Sequence, residues 1–187
     1  MRRSKSEKAQ SREEIVNAAA RLFREKGIGE TSVSDVMGSA GLTHGGFYRH
    51  FSSKEDLAAT AIRDAFRSGL RVFTEASDAP EEEARAYVDQ YLSHEHLTDP
   101  GDGCPIPTMA AEAGRGPDSW RASLAAGAEE AIAKLSVGLP GGRPAALELL
   151  ALLVGTVLLT RGTGDTPLAG EVLDTGRAAS DRLLSGD

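Results

Sequence analysis

Apolar residues recur along this chain with helical spacing. Behind a Ser11-Arg12-Glu13-Glu14 run with capping-box spacing, Ile15, Ala18, Ala19, Leu22 and Phe23 fall at i, i+3, i+4, i+7 and i+8, one stripe of a helix that stops at Gly27. Ser32 and Asp35 repeat the cap for a short second helix, which turns Val33, Val36, Met37 and Ala40 inward and ends at Gly41. Thr43 is placed to cap a third, with Leu42 and Phe47 as a hydrophobic staple. Ser53 with Asp56 caps a fourth, whose Leu57, Ala61, Ala65, Phe66, Leu70 and Phe73 continue the pattern to about residue 77.

Further along, Pro80 and the acidic turn Glu81, Glu82 and Glu83 open a helix that runs through Tyr87, Val88 and Tyr91 to about residue 97, where Asp99-Pro100-Gly101-Asp102-Gly103 breaks it. A short helix follows Pro107. Pro117 starts another, with Trp120, Leu124, Ala128, Ile132 and Leu135 on one face. Pro144 opens the most apolar helix, to about residue 160, and Thr166-Pro167 opens the last. The spacing therefore predicts an all-α fold of about nine helices and no strand: three in an N-terminal unit, residues 1–52, and the rest in a larger unit, residues 53–187.

The second helix ends and the third begins within a three-residue turn, the outline of a helix-turn-helix, whose second helix enters a DNA major groove. In that geometry the N-terminal residues of the helix face base edges. Thr43, His44 and Arg49 are the candidate readers, with Gly45 permitting close approach, while Phe47 and Phe51 are core.

Composition changes this picture in two places. A formal charge of −7 over 187 residues suits a nucleic-acid binder poorly until it is divided: residues 1–66 carry 11 Lys+Arg against 9 Asp+Glu, net +2, and residues 67–187 carry 10 against 19, net −9. Arg2, Arg3, Lys5, Lys8 and Arg12, with Glu7 the one acid among residues 1–12, form a candidate flexible arm for phosphates. The lone Cys104 rules out an internal disulfide, and a charged N-terminus in place of an apolar signal segment points to the cytoplasm. The longest apolar run, residues 149–159, is too short to cross a bilayer and reads as a core helix, so no membrane role is expected. No triad or metal-ligand spacing is present. His94 and His96, near Asp99, Asp102 and Cys104, point to opposite sides if helical. The chain is not expected to be an enzyme, nor to hold a metal or cofactor.

Residues 11–57 resemble the DNA-binding domain of the TetR family of bacterial transcription regulators. The likeness is carried by residues 18–23 with Gly27, by Thr31-Ser32-Val33, by Ala40-Gly41-Leu42, and above all by Gly46-Phe47-Tyr48-Arg49-His50-Phe51 followed by Ser53-Lys54-Glu55-Asp56-Leu57. Gly103-Cys104-Pro105-Ile106 with Ala110-Ala111-Glu112 resembles a stretch of one C-terminal branch of the family more weakly. Two features depart from the pattern: Gly38 inside the second helix, which costs about 1 kcal/mol relative to alanine, and two glycines rather than one at the start of the third.

The resemblance implies a ligand-responsive DNA-binding regulator of the repressor kind, acting on a palindromic double-stranded operator. It adds phosphate contacts from Tyr48, His50 and Lys54, and from Thr31 and Ser32 at the start of the second helix. Such a regulator needs a twofold homodimer, since recognition helices roughly 34 Å apart match successive major grooves. Leu149, Leu150, Leu153, Val157 and Leu158 exceed what one small bundle can bury, and with Val172, Gly176, Ala179 and Leu183 they are the candidate four-helix interface. The family also implies a pocket for a small hydrophobic or aromatic effector, for which Phe66, Phe73, Tyr87, Tyr91, Met109, Trp120, Leu124 and Thr156 are the candidate lining. A second way of switching the same regulator is redox or electrophile sensing through Cys104, which requires a lowered thiol pKa.

Overall fold

A computed structural model describes residues 5–187. Within them the chain forms nine α-helices and no strand: α1 (Lys5–Lys26), α2 (Val33–Ser39), α3 (Lys54–Gly69), α4 (Pro80–Tyr91), α5 (His94–Thr98), α6 (Ile106–Arg115), α7 (Asp118–Gly138), α8 (Gly142–Thr163) and α9 (Pro167–Ser185), with 3₁₀ turns at His44–Arg49, Leu70–Val72 and Pro100–Asp102. α1 and α2 pack with the 3₁₀ turn His44–Arg49 into an N-terminal unit. α3 lies on both α1 and α7, and α7, α8 and α9 pack in sequence. One continuous core runs from Phe23 and Phe47 through Leu57 and Ile62 to Leu135, Leu149 and Leu153.

Several predicted boundaries move, each for a local reason. α1 begins six residues before Ser11, so Ser11 lies inside the helix as a buried residue and not as its cap. Of the expected flexible arm, Arg2 and Arg3 and the side chain of Lys5 lie outside the described residues. Lys8 is exposed on α1, and Arg12 is held 4.6 Å over the Phe51 ring. The helix expected to reach residue 77 ends at Gly69 and passes into the turn Leu70–Val72. The helix expected over residues 80–97 is broken at Leu92, because the Ser93 hydroxyl accepts from His96 N at 3.1 Å and starts α5 afresh.

Candidate nucleic-acid interface and the cavities behind it

The turn leading into α2 is built by side-chain to backbone bonds. Gly27 takes φ +88° to end α1, and the Thr31 hydroxyl donates to its carbonyl at 2.8 Å. Ser32 and Asp35 form the predicted capping box: Asp35 N donates to the Ser32 hydroxyl at 3.1 Å, and Ser32 N donates to the Asp35 carboxylate at 2.9 Å. Those donors, the Ser32 hydroxyl first, hold the Asp35 carboxyl below its ordinary range. Gly41, at φ +67°, ends α2, and Leu42 N returns to Met37 O at 2.8 Å. At the other end Ser53 caps α3, while Asp56 accepts from Ser52 N at 3.0 Å.

Between these caps the third helix of the motif winds as a 3₁₀ turn, His44–Arg49. Thr43 stands at its N-cap in extended backbone, yet its hydroxyl caps nothing. Two adjacent glycines favour neither α-helix nor any single backbone state, which accounts for the tighter winding. Phe47 is fully buried, stacked at 5.9 Å on Phe51 and edge-on to Tyr48 at 5.2 Å. With Phe47 so anchored, Thr43, His44, Gly45, Tyr48 and Arg49 face outward. Tyr48 is 69% exposed, a large ring left in water beside its buried neighbour. The His44 ring meets the Ser34 hydroxyl at 3.0 Å, tying the edge of the turn to α2.

The other expected contact residues divide. Ser32 is exposed. His50 and Lys54 are half-buried, and the Lys54 ammonium donates to Gly29 O at 3.2 Å. Thr31 does not fit the expectation: it is fully buried and its hydroxyl belongs to Gly27, so its side chain serves the fold and not a phosphate.

Three ties join this unit to the elements behind it, and a fourth joins α3 to α7. Glu112 of α6 accepts from Ile28 N and Gly29 N, both at 2.7 Å. Buried Arg24 of α1 donates to Gly101 O at 2.7 Å through Nε, and again through Nη2. Arg21 pairs with Asp99 at 3.0 Å and Asp102 at 3.2 Å, and the Trp120 indole donates to Glu55 O at 3.0 Å.

Of the eight expected lining residues, Tyr87 and Tyr91 border one cavity of about 30 Å³, together with Gly69, Gln90, His96, Asp102, Gly103 and Cys104. The others are used elsewhere. Met109 is fully buried core, and Phe66 lies so close to Gly127 of α7 that a Cβ there would meet its ring at 2.1 Å. Trp120 and Leu124 are partly buried against the core, and Phe73 abuts Tyr87 at 5.3 Å. Thr156 is buried beneath Gly176 and borders a different space, an outer groove of about 450 Å³ between α8 and α9.

The expected interface residues also separate. Leu149, Leu150, Leu153 and Val157 are buried within the single chain, as is Gly176, so one bundle does bury them; Leu158 is 47% exposed, and Val172, Ala179 and Leu183 are half-buried. Further apolar surface comes from residues outside that candidate interface. Leu147, Leu159 and Leu168 are 46%, 56% and 54% exposed, and Ala151, Leu152 and Gly155 line the outer groove. Gly142–Thr163 is the one described helix long and apolar enough to cross a membrane, longer than its apolar run 149–159, and 33% of its most apolar stretch is buried inside the chain.

Cys104 is buried, and burial pushes its thiol pKa up, against weaker opposite pulls from Tyr91, the Ile106 backbone, Arg24 and Arg161. A thiol held protonated is a poor nucleophile. His96 is neutral in the same surroundings: Nε2 accepts from Cys104 N at 2.9 Å, which leaves the proton on Nδ1, 2.5 Å from Tyr91 O. Among the described residues no group of three acidic, histidine or cysteine side chains is disposed to hold a metal ion.

A sequence model of the bacterial regulatory proteins of the tetR family matches residues 15–61, from the middle of α1 into α3. Over 171 residues the chain is 31% identical to an uncharacterized HTH-type transcriptional regulator of Mycobacterium tuberculosis, an alignment that covers 84% of this chain and 88% of the relative. It is 39% identical over 59 residues to the HTH-type transcriptional repressor KstR2 of Mycolicibacterium smegmatis, covering 32% of this chain and 29% of that one. The match to the regulator TtgR of Pseudomonas putida likewise covers 39% of that protein, so with these relatives the likeness spans less than half their length. A solved TetR transcriptional regulator from Chloroflexus aurantiacus superposes with a TM-score of 0.72 at 26% identity over 96% of this chain and 95% of that structure. The helix-turn-helix geometry, the long alignment and the shared all-helical architecture agree: the chain belongs to the tetR family of bacterial regulatory proteins.

Proposed function

We propose that this protein is a homodimeric transcription regulator of the cytoplasm, a repressor that leaves a palindromic operator when a small effector with a hydrophobic or aromatic body binds. The observation that carries the reading is the outward edge of the His44–Arg49 turn, where a fully buried Phe47 anchors polar Thr43, His44 and Arg49 and an exposed Tyr48. Thr43, His44 and Arg49 read bases, and Gly45 lets the backbone approach. Tyr48, His50, Ser32 and Lys54 meet phosphates, which position the protein without reading sequence.

The dimer forms through the outer face of α8 and α9, around Leu158, Leu159, Leu168 and Val172, with Ala151 and Gly155 allowing close helix approach. The domains divide at the Ser53 cap of α3: residues 1–52 bind DNA, and residues 53–187 bind effector and partner. The Glu112 and Arg24 ties carry the effector's influence to the reading turn, because an effector shifts the equilibrium only if it favours the state in which the turn is misplaced.

A gel-shift titration with the DNA upstream of the protein's own gene tests this reading. Sequence-selective binding that weakens steeply with salt is expected. Equal affinity for unrelated DNA of the same length would sink it.

A further inference from the structure

Behind the aromatic rings of α4 lies a group of hydrogen-bond donors that the chain leaves unsatisfied. Phe73, Tyr87, Tyr91 and His96 follow one another with ring centroids 5.3, 5.6 and 4.6 Å apart, and the last three border the 30 Å³ cavity beside Cys104. The Tyr91 hydroxyl is buried with no full-strength partner; its neighbour is the Cys104 thiol, a weak donor and acceptor. Arg161 of α8 gives Nε to Leu97 O at 3.1 Å and Nη2 to His96 O, and Arg24 of α1 gives Nε and Nη2 to Gly101 O. Each guanidinium keeps a buried Nη1 without a partner.

No acceptor is on hand to answer them. His96 has both ring nitrogens occupied. Asp99 and Asp102 sit outward on the rim, with side chains 44% and 79% exposed, and both pair with Arg21. Buried donors left unpaired are costly, and costlier on guanidinium groups that no contacting carboxylate neutralises, one buried (Arg24) and one half-buried (Arg161). Arg161 Nη2 lies 3.3 Å from where a Cβ on Gly103 would stand, and Arg24 holds the carbonyl of Gly101, next to Asp102, so both arginines reach residues at the edge of the cavity.

We infer that this cavity receives a carboxylate or similar oxyanion head group of the effector, bound by the Tyr91 hydroxyl and the free Nη1 groups of Arg161 and Arg24. The inference rests on the ligand-responsive regulator proposed above and names the chemistry of its ligand. The cavity has room for a head group alone, so the body of the acid lies outside it, toward the exposed Gln90 of the lining. Arg24 belongs to α1, so an anion on its free Nη1 acts on the same guanidinium that ties the DNA-binding unit to the turn Pro100–Asp102.

Isothermal titration and thermal melting of the full chain with benzoate, neutral benzamide and cationic benzylamine test this. Benzoate is expected to bind at least ten-fold more tightly than benzamide and to raise the melting temperature, and benzylamine to do neither. Tyr91→Phe, which removes one oxygen and keeps the ring, and Arg161→Met are each expected to weaken benzoate at least ten-fold. If Arg161→Met does not fold, Tyr91→Phe decides. Equal binding of benzoate and benzamide, unchanged benzoate affinity in Tyr91→Phe, or no binding of benzoate, phenylacetate or hexanoate overturns the inference. Gel shifts without any acid separate the two readings: DNA binding without acid binding removes only this inference, and acid binding without DNA binding removes the regulator and leaves the site.

Discussion

The helix-turn-helix and the α8–α9 pair distribute their apolar residues in opposite ways. In the first, Phe23, Ile28, Met37, Phe47 and Leu57 are all 1% exposed or less, and what faces outward is polar apart from the Tyr48 ring. In the second, Leu149 and Leu153 are equally buried, yet Leu147, Leu158, Leu159 and Leu168 remain about half exposed, the last two along one groove. A surface that has buried its apolar residues and displays hydroxyl, imidazole and guanidinium groups suits a hydrated, charged partner. A groove of leucine, alanine and glycine suits another apolar helix face, where removal of water supplies the driving force.

The largest expected effects test that contrast inside α8. Leu153→Ala, one helix face away from Leu158, should cost about 2–5 kcal/mol of stability by urea denaturation, because it opens a cavity in a closed core. Leu158→Glu should leave the helical signal of far-UV circular dichroism unchanged while sedimentation finds monomer in place of dimer. If Leu158→Glu unfolds the chain instead, the outer face is core and the contrast fails.

Next in size are changes at the reading turn. Arg49→Ala should alter which base is preferred, by about 1–3 kcal/mol at one operator position in a selection experiment, whereas Lys54→Ala should weaken all sites alike and reduce the salt slope by about 1. The opposite pattern means that the turn lies rotated in the groove. Gly38→Ala should stabilise α2 by up to about 1 kcal/mol, since a Cβ there meets nothing within 4 Å; a lower melting temperature removes this account of the glycine.

The smallest expected effect is a pH dependence. Burial lowers the His96 pKa below its ordinary value of about 6.5. The unfolded chain therefore takes up the proton first, and the stability that His96 confers, complete above about 6.5, is lost as pH falls from there through the lowered folded value. Urea midpoints between about pH 7.5 and about pH 5.5 should fall for the parent and change less for His96→Gln. Equal slopes mean that His96 is not the group responsible.

Legibility in the sequence followed the range of the interactions. The Ser32–Asp35 capping box, the stop at Gly41 and the Ser53 cap of α3 join residues three or four positions apart, and each stands where its pattern placed it. Phe47 reads as core because its neighbours in the motif are polar. The donor cluster was invisible by the same logic. Arg24 meets Gly101 across 77 positions, and Arg161 meets His96 across 65, so no local spacing marks either arginine as more than a surface charge. Thr31 reads as a phosphate contact until the position of Gly27 O is known.

By itself, then, the sequence determined the all-helical class, the helix-turn-helix and the residues on its outward edge, because helix caps and 3.6-residue periods are written in neighbouring residues. Only the tertiary structure decided that the reading turn winds as 3₁₀, that Cys104 is buried among donors, and which leucines of α8 face outward. A helix that is apolar on nearly every side carries no period to distinguish its faces. Packing on α7 and α9 selects the inner one, and the groove left outside marks where a second chain can bury the rest.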